Sequence, residues 1–535
     1  MVKALAPKSR LGSYGTWLWI VTTTVLVGVA ATVSAQVPDG KNAPKGSAPK
    51  SKEAPAGDAA SKDATSKAAV KAAPGDPAGK AAPKAEDAKA EGDDEAAIAS
   101  QNDSGEIFKD PQAQKALPNT FTQLAYPASR SSDLEIADVR KMAANLIGTD
   151  KAVLTRYIET MAAELTNHAN IRALIEPPAN LDPTSSAARA VIVNARKIER
   201  ASMNLIEPLA IAKSSQNSAF LATYIPMLQA KLVPLLDNQF VARIQAMIVL
   251  GTAGSPASID VFLKQLNDEN QVVWVKLWAA RGITNATQSG AQPLDTQKGL
   301  AVATTLLKVL ASRDLPWPAE LRILETIGAN RLASTSPIDR KADVLSAIVT
   351  SLTDTQARLD VRAWSAWSAG MIQPGNQIAK LNYALVTYHV GKLVAEIGDK
   401  IGEEFDQADG KFDKRKGPAT YMTGLLLYQL LPAFDGLPNV RSSGLINNSH
   451  PSAVANKPFA QGVETQLREV SKAALELIRA GGAVAQTAAR KALAARVTEL
   501  NSFLQKNKPT DVELIPGGVK FPIGPAQVAG GPAAK

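Results

Sequence analysis

A chain of 535 residues with 45% apolar side chains is long enough to build a large folded body, and a net charge of +9 spread along it demands no nucleic acid partner. The sequence has no cysteine, which excludes disulfides, thiolate metal sites and cysteine nucleophiles.

The N-terminus opens with three cations and no acid, Lys3, Lys8 and Arg10, followed by an uncharged run from Leu11 to Ala35. That is the pattern of an export leader, and Val33-Ser34-Ala35 supplies a small-x-small cleavage site before Gln36. The run is also long enough to cross a hydrocarbon core of ~30 Å as an uncleaved anchor. Residues 1–35 therefore read as a signal peptide or membrane anchor. In either case the positive end stays inside, so the folded part is expected in the periplasm or cell envelope, secreted or held by the N-terminal helix.

Residues 36–105 are Ala, Lys, Pro, Gly and acidic residues with almost no bulky apolar side chain. Such a segment cannot offset chain entropy and reads as a disordered linker. As a tether it would span ~45 Å root-mean-square. Order is expected to begin near Ile107-Phe108. Helices are expected from Asp133 to Ile147, over residues 151–175 and from Ser185 through Ile206 or beyond, as an N-terminal cap for the helices that follow, with residues from Ala219 to Leu236 leading into the next stretch.

The stretch Val241–Gly282 carries the clearest pattern. Ile259, Phe262, Leu263 and Leu266 fall at i, i+3, i+4 and i+7, which places four apolar side chains on one helical face. Ser255-Pro256 supplies a helix start. Val241–Leu250 and Val272–Arg281 are apolar almost all round, so each must be covered on several sides. Each is expected to end at a glycine, Gly251 and Gly282. Comparable segments run through Val139-Arg140 to Gly148, Leu321-Arg322 to Gly328 and Val361-Arg362 to Gly370. Paired helices with a buried second member, repeated in this way, resemble the HEAT-type α-solenoid repeat. The resemblance implies an all-α fold, with a HEAT-like repeat domain over 106–370 whose stacked hairpins expose a long surface.

Pro374-Gly375 marks a change of texture. Residues 371–510 read as a C-terminal helical subdomain with helices at Gln377–Phe405, Ala419–Leu431 and Glu464–Leu504, the last broken at Gly481-Gly482. Residues 432–458 read as a long loop and 511–535 as a flexible tail. Few segments alternate with period two, so strands should be scarce.

Chemical signatures are few. His168, His389 and His450 lie far apart without zinc spacing, and neither a nucleotide-binding glycine loop nor a GxSxG elbow is present. The stretch around Gly410 fails the EF-hand pattern, because Phe405, Gln407 and Lys416 fall where oxygen ligands are needed. No catalytic residue, cofactor or metal is expected. The residues that point to a partner are tryptophans paired at helical spacing, Trp274 with Trp278 and Trp364 with Trp367, and the cations Arg243, Lys276, Arg281 and Arg362 on equivalent or adjacent helices. Tryptophan and arginine are enriched among residues that dominate interfaces. The expected function is thus an exported, non-enzymatic interaction scaffold for a protein or envelope polymer. The alternative is an envelope glycan-active lyase or hydrolase whose carboxylates no motif reveals.

Overall fold

The computed structural model of the chain describes residues 122–175, 185–289, 294–312, 315–338, 341–408, 412 and 416–524. All lie in one compact unit, Pro111–Lys535. The leader, the linker, the expected start at Ile107, most of the loop around Gly410 and residues 525–535 lie outside the described residues.

Among the described residues the fold is all-α. Its helices are α1 (Asp133–Ala143), α2 (Lys151–Leu165), α3 (His168–Ile175), α4 (Ser186–Ser214), α5 (Ser218–Leu232), α6 (Phe240–Ala253), α7 (Ile259–Asn267), α8 (Val273–Ser289), α9 (Thr296–Leu310), α10 (Trp317–Asn330), α11 (Asp343–Thr353) and α12 (Leu359–Met371). They continue as α13 (Tyr383–Gln407), α14 (Lys416–Leu425), α15 (Leu431–Asp435), α16 (Pro451–Arg479) and α17 (Ala483–Lys506). Among the described residues the one pairing of extended backbone is an isolated bridge between Glu513 and Lys520.

Local chemistry sets the helix starts. Ser132 and Glu135 form a reciprocal capping box on α1, and Asp150 accepts the amides of Ala152 and Val153 on α2. Residues 151–175 are two helices rather than one, because Asn167 accepts the amide of Asn170 and starts α3 anew. Ser255 caps a short 3₁₀ turn, Pro256–Ser258, that leads into α7.

The hairpins α7/α8, α9/α10 and α11/α12 lie side by side. Their second helices form a row in which α4 touches α6, α6 touches α8, α8 touches α10 and α10 touches α12, which in turn meets α15. Their first helices form a parallel row, α7 to α9 to α11 to α13. This explains why the second helices are apolar all round: each lies between two neighbours of its own row and a partner in the other. Every residue of α12 is buried except Leu359 and Trp364.

The regularly placed glycines are real features, but they do not end helices. Gly251, Gly282, Gly328 and Gly370 all lie inside α6, α8, α10 and α12. They mark close crossings instead. A Cβ on Gly251 would stand 2.8 Å from the Trp278 carbonyl oxygen, and one on Gly328 would stand 2.9 Å from the Ser368 Cα. At Gly370 the neighbour is the Ala433 backbone of α15, and at Gly282 it is the Phe262 ring of α7. The helix α6 ends at Gly254, whose left-handed φ of 58° favours glycine. Gly148, by contrast, meets nothing within 4 Å, so the segment 139–148 does not share this packing.

Beyond α12, α13, α16 and α17 pack on one another. The helix α16 begins at Pro451, inside the region expected to be loop. His450 caps it by accepting the Ser452 amide on Nδ1 at 3.3 Å, while its Nε2 donates to the Ile378 carbonyl at 2.8 Å. Residues 511–524 are held rather than loose. Leu514, Phe521 and Ile523 are buried, and the Asn382 amide side chain donates to the carbonyls of Asp511 and Glu513 at 3.0 and 3.1 Å. The apolar segment Ser218–Asp237 is long enough to cross a membrane by length and composition, yet it packs through Phe220, Tyr224, Leu228, Leu232, Leu235 and Leu236 into the core.

Candidate interaction surfaces

The eight residues singled out in the sequence do not form one site. Arg243 is buried and donates through Nε and Nη2 to the Asn238 carbonyl and through Nη1 to Gln271 at 3.0 Å. Arg362 is buried likewise, with Nε on the Leu352 carbonyl at 3.1 Å and Nη1 on Glu396 at 2.8 Å. Arg281 reaches from α8 to Glu325 on α10 at 2.6 Å, and Arg322 takes the second oxygen of the same carboxylate. These arginines join loops and neighbouring helices. Burial holds the Arg243 and Arg281 guanidinium pKa values below their ordinary range.

Lys276 stands in a field set by Asp268, Glu269 and Lys308, with burial as the main cause of its lowered pKa. Trp278 and Trp367 are core residues, the latter packed against Gly328. Trp274 and Trp364 remain partly exposed, so each pair keeps one member at the surface. Trp364 meets Trp367 edge to face at 5.2 Å, whereas the Trp274 indole N–H has no hydrogen-bond partner.

Further hydrogen bonds tie the row together. Thr284 and Thr326 hydroxyls meet at 2.9 Å between α8 and α10, and Ser368 donates to the Leu324 carbonyl at 2.6 Å between α12 and α10. Asn285 donates to the Gly251 carbonyl at 2.8 Å. The two threonines and Ser368 are buried and Asn285 is half-buried, each satisfied by a neighbouring helix of the row, which fixes register along it.

The end of the row carries a different kind of site. A cleft of about 340 Å³ opens between the start of α12 and the helices α13 and α14, lined among others by Arg358, Asp360, Lys400, Glu403, Glu404 and Tyr421. The Arg358 guanidinium lies 4.0 Å from the centre of the Trp317 ring, a cation–π stack, and its Nη2 is 3.1 Å from Asp360. The buried Asp360 also accepts the Tyr421 hydroxyl at 3.0 Å and the Val361 amide at 2.9 Å. Burial first, then the Asp360 charge, pushes the Tyr421 hydroxyl pKa up. Glu320 nearby is also pushed up, by burial and then by Asp354 and Asp360.

With both Asp360 oxygens occupied by arginine, tyrosine and backbone donors, the floor of the cleft is suited to holding shape. The rim offers an aromatic face. Tyr421 is 53% exposed and Tyr428 is 69% exposed seven residues later, on the π-helical turn Leu426–Leu430 that α12 and α13 support from beneath. No sequence pattern selects Trp317, Arg358 or Tyr421, which lie on three separate elements; the one local signal is a tryptophan between two prolines at a helix start. No group of three or more metal-binding side chains occurs among the described residues. Compared with known proteins, the chain matches no family model, no curated sequence and no solved structure.

Proposed function

We propose that this protein is a non-enzymatic interaction scaffold, exported in secreted or membrane-tethered form, whose HEAT-like row of hairpins presents a binding surface to a protein or envelope polymer. The observation that carries the reading is the cleft closing the row. Trp317, Arg358, Tyr421 and Tyr428 are of the residue types that dominate interface energetics, and they stand on elements locked by packing. The carboxylate beneath them positions the tyrosine and arginine. The leader-like N-terminus supports an envelope location, and the two rows of helices support the solenoid reading, since each hairpin covers the next.

The test is to place a photo-crosslinking residue at Tyr428 in the full-length protein, in intact cells, and to recover adducts from the envelope while reading the mature N-terminus of the same sample. One dominant heterologous adduct is expected from position 428 and none from Val484, which is exposed on α17. Adducts only between copies of the chain, or equal adducts from both positions, contradict the reading.

A further inference from the structure

Residues 511–524 double back from the end of α17 and lie as a strap across the start of α13. The strap is a small hairpin closed on itself. The Phe521 amide donates to the Val512 carbonyl at 2.8 Å, Glu513 bridges to Lys520, and the Gly517 amide, at a φ of 74°, donates to the Glu513 carboxylate at 2.8 Å. Leu514, Phe521 and Ile523 are buried against the body. Among the described residues, every hydrogen bond between strap and body runs through Asn382. Its backbone amide donates to the Leu514 carbonyl at 2.8 Å, and its side chain to the carbonyls of Asp511 and Glu513. A segment held by one residue and three apolar side chains opens at far lower free energy than helices packed along their whole length.

His389 lies under this strap. Its ring meets Phe521 edge to face at 6.4 Å and Tyr388 at 5.7 Å, it is only 9% exposed, and among the described residues its Nε2 has no hydrogen-bond partner. The cation that bears on it is Arg362 of α12, itself paired with Glu396 of α13 at 2.8 Å. Beside it, α16 and α17 meet α13 through the uncharged Val463 and Leu504. The strap's own charged groups serve the hairpin: Asp511 accepts the Glu513 amide, and Glu513 stands 3.7 Å from Lys520. An imidazolium in this place would face an arginine, with no acceptor for its Nε2 proton and no water to replace one. Of its neighbours, the strap alone can leave without unpacking a helix.

We propose that residues 511–524 are a latch that closes over the neutral His389 and lifts from α13 when that imidazole takes a proton, with the helices staying in place. The latch is independent of the cleft and of what binds there.

Burial first, then the Arg362 charge, hold the closed-state pKa at about 4, against 6.5 for an imidazole in water. The open form therefore binds the proton more readily, and opening is favoured as pH falls below 6.5, by roughly 100-fold at pH 4. Hydrogen exchange of the full-length protein from pH 7 to pH 4, corrected for the intrinsic rate, reads this directly. Peptides from 511–524 should lose protection together by about that factor, while those of α16 and α17 keep theirs. His389→Leu should leave the strap protected at pH 4. This variant separates the imidazole from Asp511 and Glu513, which titrate in the same range and are untouched by it. At neutral pH, Phe521→Ala should raise modification of His389 by diethyl pyrocarbonate tenfold or more relative to the exposed His168. The proposal is overturned by strap exchange that ignores pH, by loss of protection in α16 and α17 along with the strap, by acid release that persists in His389→Leu, or by His389 reactivity that Phe521→Ala leaves unchanged.

Discussion

The glycine at position 328 gives the sharpest test of how the second helices pack. A methyl group there would lie 2.7 Å from the Trp367 ring and 2.9 Å from the Ser368 Cα, and Trp367 is itself buried. Neither neighbour can move without shifting α12 relative to α10. Overpacking of this kind costs ~1–3 kcal/mol, while alanine in a helix interior returns ~0.8–1.0 kcal/mol relative to glycine. Gly328→Ala should therefore destabilise by up to ~2 kcal/mol, which in a unit as large as Pro111–Lys535 is a fall of only about 1–3 °C in the thermal transition. Gly417→Ala, where nothing lies within 4 Å, should leave stability unchanged or raise it slightly. The bulkier Gly328→Asn should be worse than alanine, whereas asparagine would be the milder change at a left-handed helix cap. Circular dichroism melts of the three variants decide the matter. If Gly328→Ala is as stable as Gly417→Ala, or if asparagine is tolerated better than alanine at 328, the helices do not cross there.

Three further outcomes are expected from the charged and polar contacts. Glu325→Ala removes the shared partner of Arg281 and Arg322, whose side chains are 13% and 12% exposed; it should cost ~2–4 kcal/mol in chemical denaturation, whereas Glu269→Ala, in an exposed pair with Lys308, should stay within about 0.5 kcal/mol. His389 is buried between Tyr388 and Phe521, and burial, then the Arg362 charge, lowers its pKa from 6.5 to about 4. The unfolded chain then binds the proton more readily, so stability is complete above pH 6.5 and falls as pH drops toward 4, by up to about 3 kcal/mol; His389→Leu should remove that part of the acid dependence. Tyr421→Phe deletes the hydroxyl that donates to Asp360 and should cost ~1 kcal/mol, while leaving any crosslinking from position 428 in place.

How much of this was legible in the sequence depends on how local each signal is. The hairpin of α7 and α8 is written in the spacing of Ile259, Phe262 and Leu266, which side-chain burial repeats faithfully. The glycines were visible as a pattern, but a helix stop and a close helix crossing leave the same letter, and only the neighbour's position tells them apart. Pro458, with asparagine and serine around it, hid the first half of α16. The Pro- and Gly-rich composition of 511–524 likewise hid Leu514 and Phe521, which are held by Asn382 and α13 from far away in the chain. Arginine and tryptophan are ambiguous for a related reason: the features that suit them to interfaces, a fork of donors and a large flat ring, also suit them to join hairpins inside one molecule. The cleft residues could not be grouped from sequence at all, since tertiary packing alone brings Trp317, Arg358 and Tyr421 together.

The stacking of consecutive hairpins underlies every surface described above, and a disulfide placed between two second helices reports on it directly. Thr284 and Thr326 are buried on α8 and α10 with hydroxyls 2.9 Å apart, so a Thr284→Cys/Thr326→Cys pair puts two thiols at that contact in a chain that has no other cysteine. Adjacent helices require near-complete crosslinking on mild oxidation, with helicity retained. Crosslinking no greater than that of a distant pair, Thr284→Cys with Ser471→Cys, would contradict the stack and the scaffold reading that rests on it.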